Sequence, residues 1–159
     1  YGNVILSKYP ISDGKTVKLS TLRKKDYVRS FGYVKITKEG KEFYFGTTHL
    51  DHQYEDALRL IQAEEILAIA ERLDKPIILA GDLNSRRGSA TMSVFARYFT
   101  VNCLSDGAPW TAPTPTPTYP CDWLIYAPNN AFRVKEYNVC YWANKESDHF
   151  PVVAVYAIR

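Results

Sequence analysis

The stretch 75–85, KPIILAGDLNS, limits the folds open to this chain more than any other. Residues 76–80 form an uninterrupted apolar run, which suits a strand covered on both faces and not one that faces water. Gly81 ends the run by allowing a tight turn with room beside it. Asp82 and Asn84 are thereby delivered at the carboxyl end of a strand, where ligands collect in sheets with helical connections. A spacing of two in extended chain points both side chains the same way. The pair combines a carboxylate that can take a proton with a carboxamide that can hold an oxyanion, and Ser85 is a third candidate. Taken alone, Asp82 reads better as a cap, because Gly-Asp after a strand commonly makes a turn. Other segments that end in the same kind of chemistry shift the balance.

Before this stretch, residues 42–48 (EFYFGTT) read as a strand that runs into His49-Leu50-Asp51-His52. A helix is predicted over 55–73, with Leu58, Ile61, Ile66, Ile69 and Leu73 on one broad arc. The order is therefore strand, helix, strand. Further strands are predicted over 4–7, 15–22, 28–37, 122–126, 132–140 and 152–158, the last of them buried. Lys38-Glu39-Gly40-Lys41 reads as a hairpin turn, and Pro128-Asn129-Asn130 as the turn between the strands at 122–126 and 132–140. A shorter helix over 89–98 starts at Ser89 as its cap. Alternating Thr and Pro over 111–120 block both helix and central strand, so a stiff, extended surface loop is expected. The 159 residues make one domain, 1–159, and their 46% hydrophobic content supplies an ordered core.

Site candidates recur at four strand ends: His49, Asp82 with Asn84, Asp122, and Asp148 with His149. Three carboxylates brought together repel one another unless a cation lies among them. Hard oxygen ligands with few histidines favour magnesium or manganese over zinc. Phosphoryl-group hydrolysis fits such a set: the metal neutralises the phosphate, a carboxylate takes a proton from water, and Asn and His hold the transition-state charge. HLDH also echoes a binuclear zinc motif, but three histidines in the whole chain leave that reading short of ligands. Arg86 and Arg87 are candidates for steering a phosphodiester, with exposed charge as the equal alternative, and His52 is a candidate donor behind the site. Asp51 reads as a residue of the helix start, and the basic cluster Arg23-Lys24-Lys25 with Arg29 reads as a solvated loop.

The segments YGNVILSKYPI, TTHLDH, ILAGDLNS, CDWLIY and SDHFPVVAVY, in that order, resemble blocks of the endonuclease/exonuclease/phosphatase family and span essentially the whole chain. The resemblance implies an α/β fold, part of a four-layer αββα sandwich with two mostly antiparallel sheets flanked by helices. It implies that Asp82 orients or deprotonates the attacking water and that Asn84 steadies it. His149 then faces the phosphate with Asp122 orienting it, Asp148 is linked to the metal together with Asp82 and Asn84, and His49 contacts the phosphate or leaving group. The implied cofactor is Mg2+ or Mn2+, and the implied partner is a phosphate ester: nucleic acid, phospholipid head group or small phosphorylated molecule. The family's principal metal-binding glutamate, and an asparagine before it, have no match. The expectation is that they precede Tyr1, that the chain is the carboxy-terminal portion of the domain, and that in isolation it is weak or inactive as a hydrolase.

Two other readings stay open at this stage: a binding module that keeps the fold without catalysis, and a lipid or inositol-phosphate phosphatase in place of a nuclease. The net charge of +3 does not by itself indicate nucleic-acid binding, and no apolar run approaches the length of a membrane span. Cys103, Cys121 and Cys140 have no CxxC spacing, which argues against a structural zinc site. One disulfide and either redox compartment remain open.

Overall fold

Strict alternation of side chains makes the central sheet of this protein apolar on both faces. In the computed structural model, which describes residues 2–101 and 110–159, five strands lie in the order β1 (Ile11–Lys18), β2 (Ser30–Lys38), β3 (Lys41–His49), β4 (Ile77–Asp82), β5 (Asp122–Ala127). All neighbours are antiparallel except β3 and β4. That parallel pair is joined over the sheet by the helix α1 (Ala57–Ala70), as parallel strands require. A second helix, α2 (Ala90–Phe95), and a two-stranded sheet, β6 (Phe132–Val139) with β7 (Val152–Ile158), complete the elements.

On one face, Phe31, Tyr33, Tyr44, Ile77, Leu79, Trp123 and Ile125 pack with Ile66 and Leu67 of α1 and Phe95 of α2. On the other, Ile36, Phe43, Ile78 and Tyr126 meet Phe132, with Tyr156 and Ile158 against them. Layers therefore run helix, sheet, sheet among the described residues, in agreement with a portion of the expected sandwich. The two cores explain why residues 76–80 show no polar alternation: Ile77 and Leu79 face the helices while Ile78 faces the second sheet.

Several expectations need correction. Residues 4–7 form no strand; they pair with no strand among the described residues, and Val4 and Leu6 are 75% and 88% exposed. The first strand is Ile11–Lys18 and not 15–22, because an irregularity between Ser12 and Lys15 absorbs Asp13-Gly14 and lets Ile11 pair with Ile36. The helix α1 is shorter than 55–73 and its buried face includes Ala63, Leu67 and Ala70, whereas Ile61 is exposed. The helix α2 stops before residue 98, although Ser89 does cap it by accepting from the Met92 amide at 3.2 Å, an interaction that contributes about 1 kcal/mol. The segment 111–120 is a surface loop only in its middle: Thr111 and Ala112 are buried, and Ala112 bridges Tyr119. The turn at 128–130 joins β5 to β6 as expected, the Ala131 amide donating to the Pro128 carbonyl at 3.1 Å, and carries the chain from one sheet to the other. The last strand is at most half-buried, with Val153 and Val155 exposed.

The hairpin at Glu39-Gly40 forms as expected, with Lys38 paired to Lys41 and both turn residues at positive φ. Gly81 has a more demanding role. A Cβ there would lie 2.0 Å from the Thr48 carbonyl oxygen of the neighbouring strand, so no other residue permits β3 and β4 to approach as they do. We expect Gly81→Ala to destabilise the protein by about 3 kcal/mol. Urea unfolding would check this; a loss below about 0.5 kcal/mol would mean that the strands part without cost.

Candidate functional site

The register of the sheet places the site. His49 is paired with Asp82 across β3 and β4, and Asp82 with Asp122 across β4 and β5. Three polar side chains thus stand in a row at one end of three adjacent strands. His149 joins them from the connection that precedes β7. Its Nδ1 lies 2.8 Å from Asp122 Oδ2, while His49 Nε2 lies 3.3 Å from Asp82 Oδ2. A cavity of about 340 Å³, bordered by Gly81, Asp122, Leu124, Ser147 and His149, opens on the Asp122–His149 pair.

Backbone groups fix these side chains. Past the end of β4, Asn84 adopts φ 46°, a left-handed conformation tolerated by asparagine, and its amide donates to Asp82 Oδ1 at 2.8 Å. The Asn84 carboxamide donates to the Leu50 carbonyl at 3.1 Å, tying the turn after Asp82 to the loop after His49. That loop is held in turn by α1: Gln62 accepts from the Asp51 amide at 2.9 Å and donates to the Ser20 carbonyl at 3.1 Å. Buried Arg59 donates to the carbonyls of Asp51 and Gln53 and pairs with Asp56. On the other side, the buried Thr111 hydroxyl accepts from the amides of Cys121 and Asp122, at 3.2 and 3.3 Å, and its carbonyl accepts from the Phe150 amide at 2.8 Å. One residue of the Thr-Pro segment therefore braces both chains that carry the Asp122–His149 pair.

The environments separate the titrating groups. Burial lowers the His49 pKa to about 4, helped by the charges of Arg29 and His149 and opposed by Asp122. At neutral pH the ring is therefore uncharged, and its 3.3 Å contact with Asp82 is not an ion pair. Burial raises the Asp82 carboxyl above the ordinary aspartate value, the Asn84 amide opposes this, and Asp122 adds to the rise. Burial acts to raise Asp122 as well, but the hydrogen bonds from His149 and Thr111 together with the His149 charge outweigh it and hold Asp122 low. His149 is raised, chiefly by its hydrogen bond to Asp122. The result is one carboxylate of raised proton affinity, Asp82, beside an imidazole whose protonated form Asp122 favours.

The remaining candidates are spread more widely. Asp148 adjoins His149 in the chain but is exposed; its carboxylate accepts from Ser147 Oγ at 3.4 Å and stands outside the close group of ligand atoms. Ser85 is buried, and its carbonyl accepts from the Trp123 indole at 2.9 Å. Asp51 is fully buried, with Oδ2 accepting from the Gln53 amide, so it shapes the loop. His52 is exposed, 5.6 Å from the Tyr27 ring and with Nδ1 3.4 Å from Arg29 Nη2. Arg86 and Arg87 are exposed; Arg86 lies 5.2 Å over the Tyr119 ring.

Sequence reasoning passed over three contributors. Cys121 was visible only as one of three scattered cysteines, yet its thiol donates to Asp122 Oδ2 at 3.3 Å and lies 3.6 Å from His149 Nδ1. Its place directly before Asp122 was the available signal. Thr111 and Gln62 carried none, since their partners are distant in the chain. Cys121 and Cys140 are free thiols, and Cys103 lies outside the described residues.

Comparison with known proteins agrees with this architecture. The model of the Endonuclease/Exonuclease/phosphatase family matches residues 1–149. The chain is similar to the structure of a protein of that family from Bacteroides thetaiotaomicron (22% identity, TM-score 0.75, 96% of this chain and 66% of the other). It is also similar to the mannosyl-6-phosphatase of Bacteroides thetaiotaomicron (22%, TM-score 0.70, 95% and 68%) and to D. rerio TDP2 complexed with a single-stranded DNA product (15%, TM-score 0.72, 92% and 68%). The chain thus spans about two thirds of the length of these structures, and at such identities the likeness shows the fold. Curated protein sequences contain no significant match.

Two opposite titrations follow from the electrostatics. Side-chain nitrogen NMR should show His49 neutral down to about pH 4 and His149 protonated above the ordinary histidine midpoint. Asp122→Asn should lower the His149 midpoint; an unchanged midpoint would show that Asp122 does not hold its charge.

Proposed function

Since the chain belongs to the endonuclease/exonuclease/phosphatase family, which includes phosphatases and nucleases, we propose that it is a divalent-metal-dependent phosphoesterase that works by direct attack of water. The observation that carries this reading is the row His49, Asp82, Asp122 across three paired strands, closed by His149 on Asp122. Asp82 is the base: burial lifts its proton affinity, while the Asn84 amide fixes one oxygen and leaves the other toward the site. His149, charged and oriented through Nδ1 by Asp122, presents its opposite ring edge to a phosphoryl oxygen. Asn84 steadies the attacking water. His49, neutral at the working pH, contacts the phosphate or leaving group as a hydrogen-bond donor and not as a charge.

The donor set fits a hard cation. Asp82 and Asp122 are paired in register, and the Asp122 charge raises the cost of ionising Asp82, a repulsion that magnesium or manganese would relieve. The oxygens we assign to it are those of Asp82 and Asn84 at the end of β4, with Asp148 from the connection before β7. When bound, the ion supplies charge neutralisation of the phosphate and its leaving oxygen. Arg86 and Arg87 beside Asn84, and His52 beside Arg29, are proposed to meet the rest of the substrate.

The substrate is a phosphate ester, whether nucleic acid, phospholipid head group or small phosphorylated molecule. No helix among the described residues is long and apolar enough to cross a membrane. A panel of bis-p-nitrophenyl phosphate, plasmid DNA, sphingomyelin and sugar or inositol phosphates, run on the full-length protein with magnesium, manganese or chelator, tests the reading. Chelator should abolish turnover, and Asp82→Asn should lower kcat by about 10²- to 10⁴-fold. Turnover that survives Asp82→Asn would exclude Asp82 as the base, and no hydrolysis of any ester would favour a binding module.

A further inference from the structure

The site contains a group that magnesium-assisted hydrolysis has no use for. Cys121 is buried just before the first residue of β5, and one ligand atom from each of Asp82, Cys121, Asp122 and His149 lies within 4.8 Å of the other three. Cys121 Sγ is 3.3 Å from Asp122 Oδ2 and 3.6 Å from His149 Nδ1. Four-coordinate zinc with bonds of about 2.0–2.3 Å needs ligand atoms roughly 3.3–3.6 Å apart, so both sulfur distances already match a tetrahedron. The His149–Asp122 contact of 2.8 Å is a hydrogen bond and must lengthen when its proton leaves. One sulfur, one imidazole nitrogen and two carboxylate oxygens form a softer set than hard cations prefer. The cysteines were set aside for zinc because none is near another in sequence. The fold supplies the thiol with histidine and carboxylate partners instead.

We propose that Asp82, Cys121, Asp122 and His149 form a binding site for a thiophilic divalent cation such as zinc. Binding forms a metal–sulfur bond as the Cys121 thiol proton passes to solvent, and a metal–nitrogen bond as the proton shared by His149 Nδ1 and Asp122 does the same. The cation site stands on the geometry of these four side chains and does not require hydrolysis. If the phosphoesterase reading holds, zinc occupies the same Asp82, Asp122 and His149 and blocks turnover, and a stronger chelator restores it.

Cobalt(II) titration of the reduced protein under argon reads the site directly. One equivalent should produce a sulfur-to-cobalt charge-transfer band with tetrahedral visible absorption, and zinc should bleach both. Cys121→Ser should remove the charge-transfer band, while Cys140→Ser and Cys103→Ser leave it. His149→Ala, which keeps the thiol, should weaken cobalt binding by at least roughly tenfold. No charge-transfer band in the unmodified protein, or one that survives Cys121→Ser, would overturn the site. A cobalt band without hydrolysis of any ester defeats only the phosphoesterase reading, and chelator-sensitive hydrolysis without the band defeats only the zinc site.

Discussion

The close parallel approach of β3 to β4 at Thr48 and Gly81 is the contact on which the site depends. Pairing there sets His49 opposite Asp82, and the antiparallel pairing of β4 with β5 carries the row on to Asp122. A slip of one residue in either ladder would turn every side chain on the strand to the other face, exchanging the two cores and scattering the row. The hydrophobic pattern that fills both faces of the sheet therefore specifies the chemistry as well as the fold. A shifted register would drive Ile77 and Leu79 into the core built around Ile78, and Ile78 into theirs.

Side chains buried outside the row complete it. Gln62 and Arg59 reach from α1 into the loop after His49, and Asn84 reaches the same loop from the end of β4. Such buried polar groups cost desolvation and are retained only when well paired, so each hydrogen bond they make also fixes a loop in one conformation. Thr111 does the corresponding work for Asp122 and His149. The row is thus clamped from the helix side by one network and from the Thr-Pro segment by another. Separate control of the two halves agrees with their divergent electrostatics, one histidine shifted toward its neutral form beside a carboxylate shifted up and one shifted toward its cation beside a carboxylate shifted down.

Much of this was legible in the residues. The apolar run before Gly81, the strand, helix, strand order and the hairpin at Glu39-Gly40 all follow from local patterns that tertiary packing reinforces. Asp122 and His149 could be placed at element ends by the same patterns, and resemblance named their roles before any geometry was known. What sequence could not show was pairing over distance: that Thr111 braces residues 121–122 and 149–150, or that Gln62 spans Ser20 and Asp51. The expected strand over 4–7 failed for a related reason, since β propensity needs a partner that these residues do not find among those described. Asp148 illustrates the opposite difficulty. Adjacency to His149 in the chain does not bring its carboxylate into the close group, because neighbouring residues diverge.

The indole of Trp123 is 3% exposed and hydrogen-bonded to the Ser85 carbonyl, directly beneath the turn that carries Asp82 and Asn84. Trp110 and Trp142, at 53% and 83% exposed, lie open to solvent. The three rings therefore differ in their access to a dissolved quencher. With iodide suppressing the two outer fluorophores, the residual emission is a built-in optical gauge of this turn, responsive to any movement that ligands impose on it.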